Sequence, residues 1–276
     1  MDRGRVRTLR GLADACHSGP TVTVTVLVTA VAVASGRDLA GVVLVAAAVL
    51  SGQASIGWCN DAVDAERDAA AGRTGKPIVA GLVSAATVRR AALVALVLCV
   101  PLSLASGWIA GAAHLLGVGT AWAYDLWLKA TVWSWAPYMI GFGVLPAFVT
   151  LGLPDRPWPA WWAVAGAALL GLGAHLANVL PDIAGDLATK VRGWPQRLGT
   201  ARVAALVPLP LLAATALLSF CPYGVAHAAP WIAVAAACVL TGIALVKGGK
   251  APFVAAIAVA AIDVALLVLN GTRLTG

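Results

Sequence analysis

Asparagine and aspartate recur at a spacing of four in two places along the chain. The first stretch reads Asn60-Asp61-Ala62-Val63-Asp64-Ala65-Glu66-Arg67-Asp68, and the second reads Asn178-Val179-Leu180-Pro181-Asp182-Ile183-Ala184-Gly185-Asp186. The three matching positions are all offset by 118 residues, so the two stretches share a register. On a helix a step of four residues drifts by only about 40°, which sets the three side chains along one stripe. Asp61 falls close to the same stripe. Carboxylates crowded in this way repel one another unless a cation lies between them. Mg2+ suits such a place, because it takes oxygen ligands and binds through one or two carboxylates together with substrate phosphate oxygens. Two facing clusters have the chemistry to clamp a diphosphate. The competing reading is a solvated acidic loop, and the shared register weighs against it.

Basic residues follow the acids. Arg67, Arg73 and Lys76 come after the first cluster, Lys190 and Arg192 after the second, and Lys129 lies between. A departing diphosphate gains negative charge, so ammonium and guanidinium donors would assist its release. Each of these residues is also readable as a topology anchor.

The elements that must hold these clusters are apolar. Hydrophobic residues make up 61% of the 276 positions and charged residues only 11%, too few to cover a soluble domain of this length. Apolar runs fall at roughly 20–36, 39–58, 88–106, 107–123, 132–151, 159–179, 203–221, 230–246 and 251–270. Their continuous Ala, Leu and Val content predicts helices rather than the alternating strands of a barrel. The expectation is an all-α polytopic membrane protein with about nine transmembrane helices. Pro101, Pro137, Pro146, Pro208 and Pro210 should kink them. Gly107, Gly111, Gly166, Gly171 and Gly173 should let helices approach closely.

Placing the N-terminus in the cytoplasm puts 16 of the 19 Lys and Arg residues on that side and leaves Arg37, Arg156 and Arg273 outside. The positive-inside rule favours this orientation, with both acidic clusters on the cytoplasmic face of a multi-pass cell-membrane protein. Trp158, Trp161 and Trp162 then form an outer aromatic belt. The net charge of +7 is accounted for by topology, and no nucleic-acid partner is expected. Four arginines precede the first run much as in a signal peptide, but a second run follows closely, so the first reads as a retained span. The five cysteines form no C-x-x-C pair and read as small buried hydrophobes.

With these residues in place, the sequence resembles the UbiA superfamily of intramembrane prenyltransferases. Asn60-Asp61-x-x-Asp64-x-x-x-Asp68 looks like its first aspartate-rich motif, continued by Gly75-Lys76-Pro77-Ile78-Val79-Ala80-Gly81, where Lys76 replaces the common arginine. Asp182-x-x-x-Asp186 with Arg197-Leu198-Gly199 resembles the second motif. Tyr124 with Leu128-Lys129-Ala130-Thr131 is similar to the stretch between them, although Ala130 stands where arginine is usual. The resemblance implies a single domain over 1–276 with pseudo-repeat halves of about 20–131 and 132–250. Nine helices would surround a central cavity under cytoplasmic cap loops or helices. It also implies Mg2+-dependent ionisation of a prenyl diphosphate donor and transfer of the prenyl group to a hydrophobic or aromatic acceptor, such as a quinone precursor or a lipid, within membrane lipid. Asn60, Asp61, Asp64, Asp68, Asn178, Asp182 and Asp186 would then be the metal and diphosphate ligands. Lys129 would hold diphosphate, and Tyr124 would sit near the reacting carbon.

Other residues have open roles. Trp122, Trp127, Trp133 and Trp135 either stabilise a carbocation or form an interfacial belt. His17 and His175 read as helix-face hydrogen bonders or as bases toward an acceptor. Asp263 is an intramembrane carboxylate with no assigned role. Asn270-Gly271-Thr272 has the form of a glycosylation sequon. A membrane terpene cyclase would use the same ionising groups without an acceptor. A transporter would more usually place its acids near the midplane, where only Asp263 lies.

Overall fold

A computed structural model describes residues 3–247 and 251–275, so most of the expected 247–250 cytoplasmic turn lies outside the described residues. The described chain is helical apart from its connections and one isolated bridge between Pro159 and Thr275. Fourteen α-helices follow in order: α1 (Arg3–Ala15), α2 (Ser18–Ala34), α3 (Leu39–Ala70), α4 (Ala85–Leu104), α5 (Trp108–Leu126), α6 (Ala136–Gly143) and α7 (Leu145–Thr150). They continue as α8 (Trp161–Val179), α9 (Ile183–Ala188), α10 (Trp194–Leu198), α11 (Thr200–Leu206), α12 (Pro208–Tyr223), α13 (Ala228–Lys247) and α14 (Ala251–Leu269).

Every expected apolar run falls on one of these helices or on a broken pair. In lipid no water competes for backbone groups, so a continuous run of Ala, Leu and Val satisfies them within a helix. Local signals set some starts. Asp38 caps α3 by accepting from the Gly41 amide at 2.8 Å, and Ser84 caps α4 by accepting from Thr87 at 3.1 Å. Each such cap contributes about 1 kcal/mol. Among the described residues four helices are long and apolar enough to cross a membrane (39–70, 85–104, 161–188 and 200–223). A fifth is added if α1 and α2, bent by 64°, count as one span. Three further apolar stretches, 136–150, 228–244 and 254–269, are helical but shorter. Pro146 follows the break between α6 and α7, and Pro208 opens α12 directly after α11, since a proline ring clashes with the carbonyl four residues earlier. Pro101, by contrast, lies inside α4, which runs on to Leu104.

The helices close into a ring. α3 packs on α2, α4 and α5; α5 on α6; α6 on α8; α8 on α12 and α14; and α14 returns to α2. Glycine permits the tightest of these approaches. A Cβ on Gly171 would lie 2.4 Å from the Tyr138 carbonyl oxygen, and one on Gly173 would lie 2.4 Å from Leu211. Gly107 serves differently: it caps α5 at a φ of 106°, open to glycine and strained for other residues.

The structure corrects several expectations at the periphery. Trp158 and Trp161 are exposed as a belt requires, but Trp162 turns into the core. Cys221 and Cys238 are exposed on the helix surfaces rather than buried. Asn270 is fully buried and donates its amide nitrogen to the Leu218 and Leu266 carbonyls, so the sequon-like triplet is a packing feature. Asp263 is buried and accepts from the Thr215 hydroxyl at 2.5 Å.

Candidate active site

α3 continues well past its apolar stretch, and its last turns carry the first cluster on an unbroken helix, as the spacing predicted. Asp61, Asp64 and Asp68 are all buried, while Glu66, off the stripe, is exposed. Each buried carboxylate holds basic partners. Lys76 donates to Asp61 at 2.6 Å, and His17 lies 3.3 Å from the same oxygen. Arg67 donates to Asp64 at 2.6 Å, and Lys129 reaches that carboxylate from the short turn after α5. Burial opposes the charge on Asp61, and the bonds from His17 and Lys76 favour it. His17 sits at the bend between α1 and α2 with φ of 53°, a conformation costing about 1–2 kcal/mol for a residue with a side chain. Its contact with Asp61 helps to offset that cost.

The second cluster departs from its expected single helical stripe. α8 ends at Val179, a 3-10 turn covers Leu180–Asp182, and α9 begins at Ile183. Pro181 accounts for the interruption, since it has no N–H for a regular turn. Asp182 is consequently exposed, whereas Asp186 is buried and accepts from Gln196 at 2.8 Å.

Arg73 joins the two clusters. One end of its guanidinium lies 3.3 Å from Asp68 and the other 3.7 Å from Asp182. Carboxylates from the two halves of the chain are thus separated by the width of a single planar cation. Lys190 is exposed, with a φ of 65°, and makes no ion pair among the described residues.

Aromatic rings line the neighbouring interior. Tyr124 meets Tyr138 edge-on at 5.3 Å and His175 at 5.8 Å. Asn178 donates to the Tyr138 hydroxyl at 3.4 Å. His175 is fully buried and within 3.4 Å of the Ser134 hydroxyl. Trp122 donates to Ser55, and Trp127 and Trp133 face outward. Between the helices of the ring lies a small, wholly apolar cavity of about 50 Å3, bounded by Val28, Phe142, Leu145, Leu170, Val264 and Leu267 among others.

Two site residues escaped the sequence reading. Asp125, buried at the end of α5, accepts from the Asn60 amide at 3.0 Å. Gln196, buried on α10, holds Asp186. Neither belongs to a spaced motif. Asp125 did carry one signal, as a carboxylate four residues before Lys129 at the end of an apolar run.

Among the described residues no three His, Cys, Asp or Glu side chains converge into a ready-made metal cage. Mg2+ does not require one, since it keeps waters and phosphate oxygens as ligands. The donors present are carboxylate and amide oxygens, and Asp61 Oδ2 is buried without a partner among the described residues. This donor chemistry fits Mg2+ and does not suit a thiophilic ion.

Comparison with known proteins adds three observations. A sequence model of the UbiA prenyltransferase family matches residues 21–268. A digeranylgeranylglyceryl phosphate synthase structure is similar with a TM-score of 0.69 at 16% identity, over 96% of this chain and 99% of that one. A UbiA homologue from Archaeoglobus fulgidus bound to GPP and Mg2+ gives 0.67 at 15% identity, over 97% and 99% of the two chains. An apo UbiA homologue from Aeropyrum pernix K1 gives 0.69 at 21% identity, over 91% and 98%. At these identities the structures speak for the fold. No curated protein matches the sequence.

Proposed function

We propose, since the chain belongs to the UbiA prenyltransferase family, that it ionises a prenyl diphosphate with the help of Mg2+ and transfers the prenyl group to an aromatic, quinone-precursor or lipid acceptor inside the membrane. The observation that carries this reading is the single guanidinium of Arg73 lying against Asp68 and Asp182 at once. The protein is an integral membrane protein; nine spans, a cytoplasmic N-terminus and a cytoplasmic site capped by α1 and the loops after α3 and α8 complete the proposal. The two halves, about 20–131 and 132–250, would each contribute one cluster.

Asn60, Asp61, Asp64, Asp68, Asn178, Asp182 and Asp186 would hold the metal. Bound Mg2+ neutralises diphosphate oxygens and stabilises the charge they gain as the C–O bond breaks. Lys129 and Arg67, now on Asp64, are placed to donate to those same oxygens, and Arg73 and Lys76 flank them; Lys190 would close the outer edge. The prenyl tail would run toward the apolar lining of that cavity, which would have to widen to admit it. The π-face of Tyr124 would lie toward the allylic carbon, where an aromatic ring stabilises positive charge. The surrounding apolar helices keep water from the cation.

Lys129→Ala is expected to slow diphosphate release about ten- to a hundred-fold with membrane insertion unaffected. Single-turnover release and carbonate extraction of membranes check the two halves of this expectation, and unchanged kinetics would remove Lys129 from the site.

The function itself is tested by incubating purified protein with Mg2+ and prenyl diphosphates of increasing length, with and without a panel of quinoid, phenolic and lipid-alcohol acceptors. A prenylated acceptor found by mass spectrometry, with diphosphate released only when that acceptor is present, is the expected result. Cyclic hydrocarbon or alcohol formed without acceptor would instead make the protein a terpene cyclase. No release from any donor would sink both.

A further inference from the structure

Asp125 is only 3% exposed, yet half of its acceptor capacity is unused: Oδ1 takes the Asn60 amide hydrogen at 3.0 Å, while Oδ2 is buried with no partner among the described residues. Burying a carboxylate with an oxygen left over costs stability that a leucine at the same place would not. What the carboxylate does that a leucine cannot is orient its neighbour. Asp125 Oδ1 accepts from the Asn60 NH2, so that side of the Asn60 amide faces Asp125. The amide is planar, and fixing its nitrogen turns Oδ1 away from Asp125. An asparagine free to flip would present NH2 as readily as oxygen, and NH2 is no ligand for a hard cation.

The register-mate of Asn60 is treated in the same manner. Asn178 gives its amide nitrogen to the Tyr138 hydroxyl at 3.4 Å, which likewise leaves its oxygen free. Both asparagines, 118 residues apart, are thus tied by nitrogen to a residue outside either motif. We infer that Asp125 is a positioning residue that locks Asn60 with its carbonyl oxygen presented to the metal–diphosphate complex. This rests on the reading of Asn60 as a metal ligand given above.

The test is Mn2+ binding by electron paramagnetic resonance, in the presence of a non-ionisable prenyl thiodiphosphate, so that turnover plays no part. Asp125→Leu is expected to weaken Mn2+ binding about ten-fold or more, as losing the partner of a metal ligand typically does. Asp125→Asn should weaken binding less than Asp125→Leu, because its carboxamide can accept the same N–H but can also turn and donate to the Asn60 oxygen. Asn60→Ala should weaken binding by itself, and adding Asp125→Leu to it should cost nothing further, since the two act as one unit. Should Asp125→Leu fail to fold, Asp125→Ala is read in the same way. Parent-like Mn2+ affinity in Asp125→Leu, or a full additional loss on top of Asn60→Ala, overturns the inference while leaving the metal site standing. Parent-like binding in Asn60→Ala, or no binding by the parent, removes the underlying metal reading instead.

Discussion

Asp64→Ala is expected to lower diphosphate release by at least about a thousand-fold, the scale of removing a group that organises charge stabilisation in a dry site. Asp64 is buried and gathers a lysine and an arginine, Lys129 and Arg67. Removing it takes away one ligand and also the anchor that brings two diphosphate donors together. Some loss of stability accompanies the change, because two cations are left without their shared partner. Asp64→Asn separates the effects, since the amide oxygen still accepts hydrogen bonds but carries no charge. Release should remain lost in Asp64→Asn while thermal unfolding recovers toward the parent. Asp182→Ala gives the cleaner companion result. Asp182 is exposed, so its removal costs little structure, and a comparable loss of turnover would come from the site alone. Full turnover by either purified alanine variant would refute the clamp.

The first cluster was legible in the sequence because everything that shapes it is local. Asn60, Asp61, Asp64 and Asp68 ride one uninterrupted helix, and helical periodicity alone places them together. The nine apolar runs were legible for a similar reason: lipid leaves the backbone no alternative to a helix. What the sequence obscured depends on pairings between distant segments. Arg73 looked like one more basic residue after an acidic run. Its bridging position arises from the fold of the loop after α3, where Gly72 and Gly81 adopt φ of 67° and 66°, and from the arrival of Asp182 from the other half of the chain. Asp125 was missed because its partner, Asn60, is 65 residues away. Pro181 was visible, but the register match suggested a second continuous stripe, and the proline prevailed. Trp162 and Asn270 mislead in the same direction: residue type and place along a span suggested an interface and a surface, and packing against the core decided otherwise.

Chelation should abolish turnover completely, and Mg2+ should restore it. The local charges require this. Asp61, Asp64, Asp68, Asp182 and Asp186 bring five carboxylates, against which Arg67, Arg73, Lys76 and Lys129 set four cations. Matched one against another, these groups leave no surplus of positive charge for an incoming substrate. A prenyl diphosphate adds about three more negative charges, and in a poorly hydrated pocket each uncompensated pair is far costlier than in water. The basic residues cannot serve the carboxylates and the diphosphate at once, because Lys129 and Arg67 are already committed to Asp64. Carboxylates that held divalent cations would leave the basic side chains available for phosphate oxygens. Excess EDTA is therefore expected to reduce release to the uncatalysed background, and titration with Mg2+ to restore it. Ca2+ should restore less, because its ligand distances of about 2.3–2.6 Å are longer than the roughly 2.0–2.1 Å of Mg2+. Arg73→Ala sharpens the test: with one cation fewer between the clusters, the Mg2+ concentration needed for half-maximal activity should shift. Undiminished turnover in excess EDTA would mean that the four basic residues suffice for ionisation, and the acidic clusters would need another purpose.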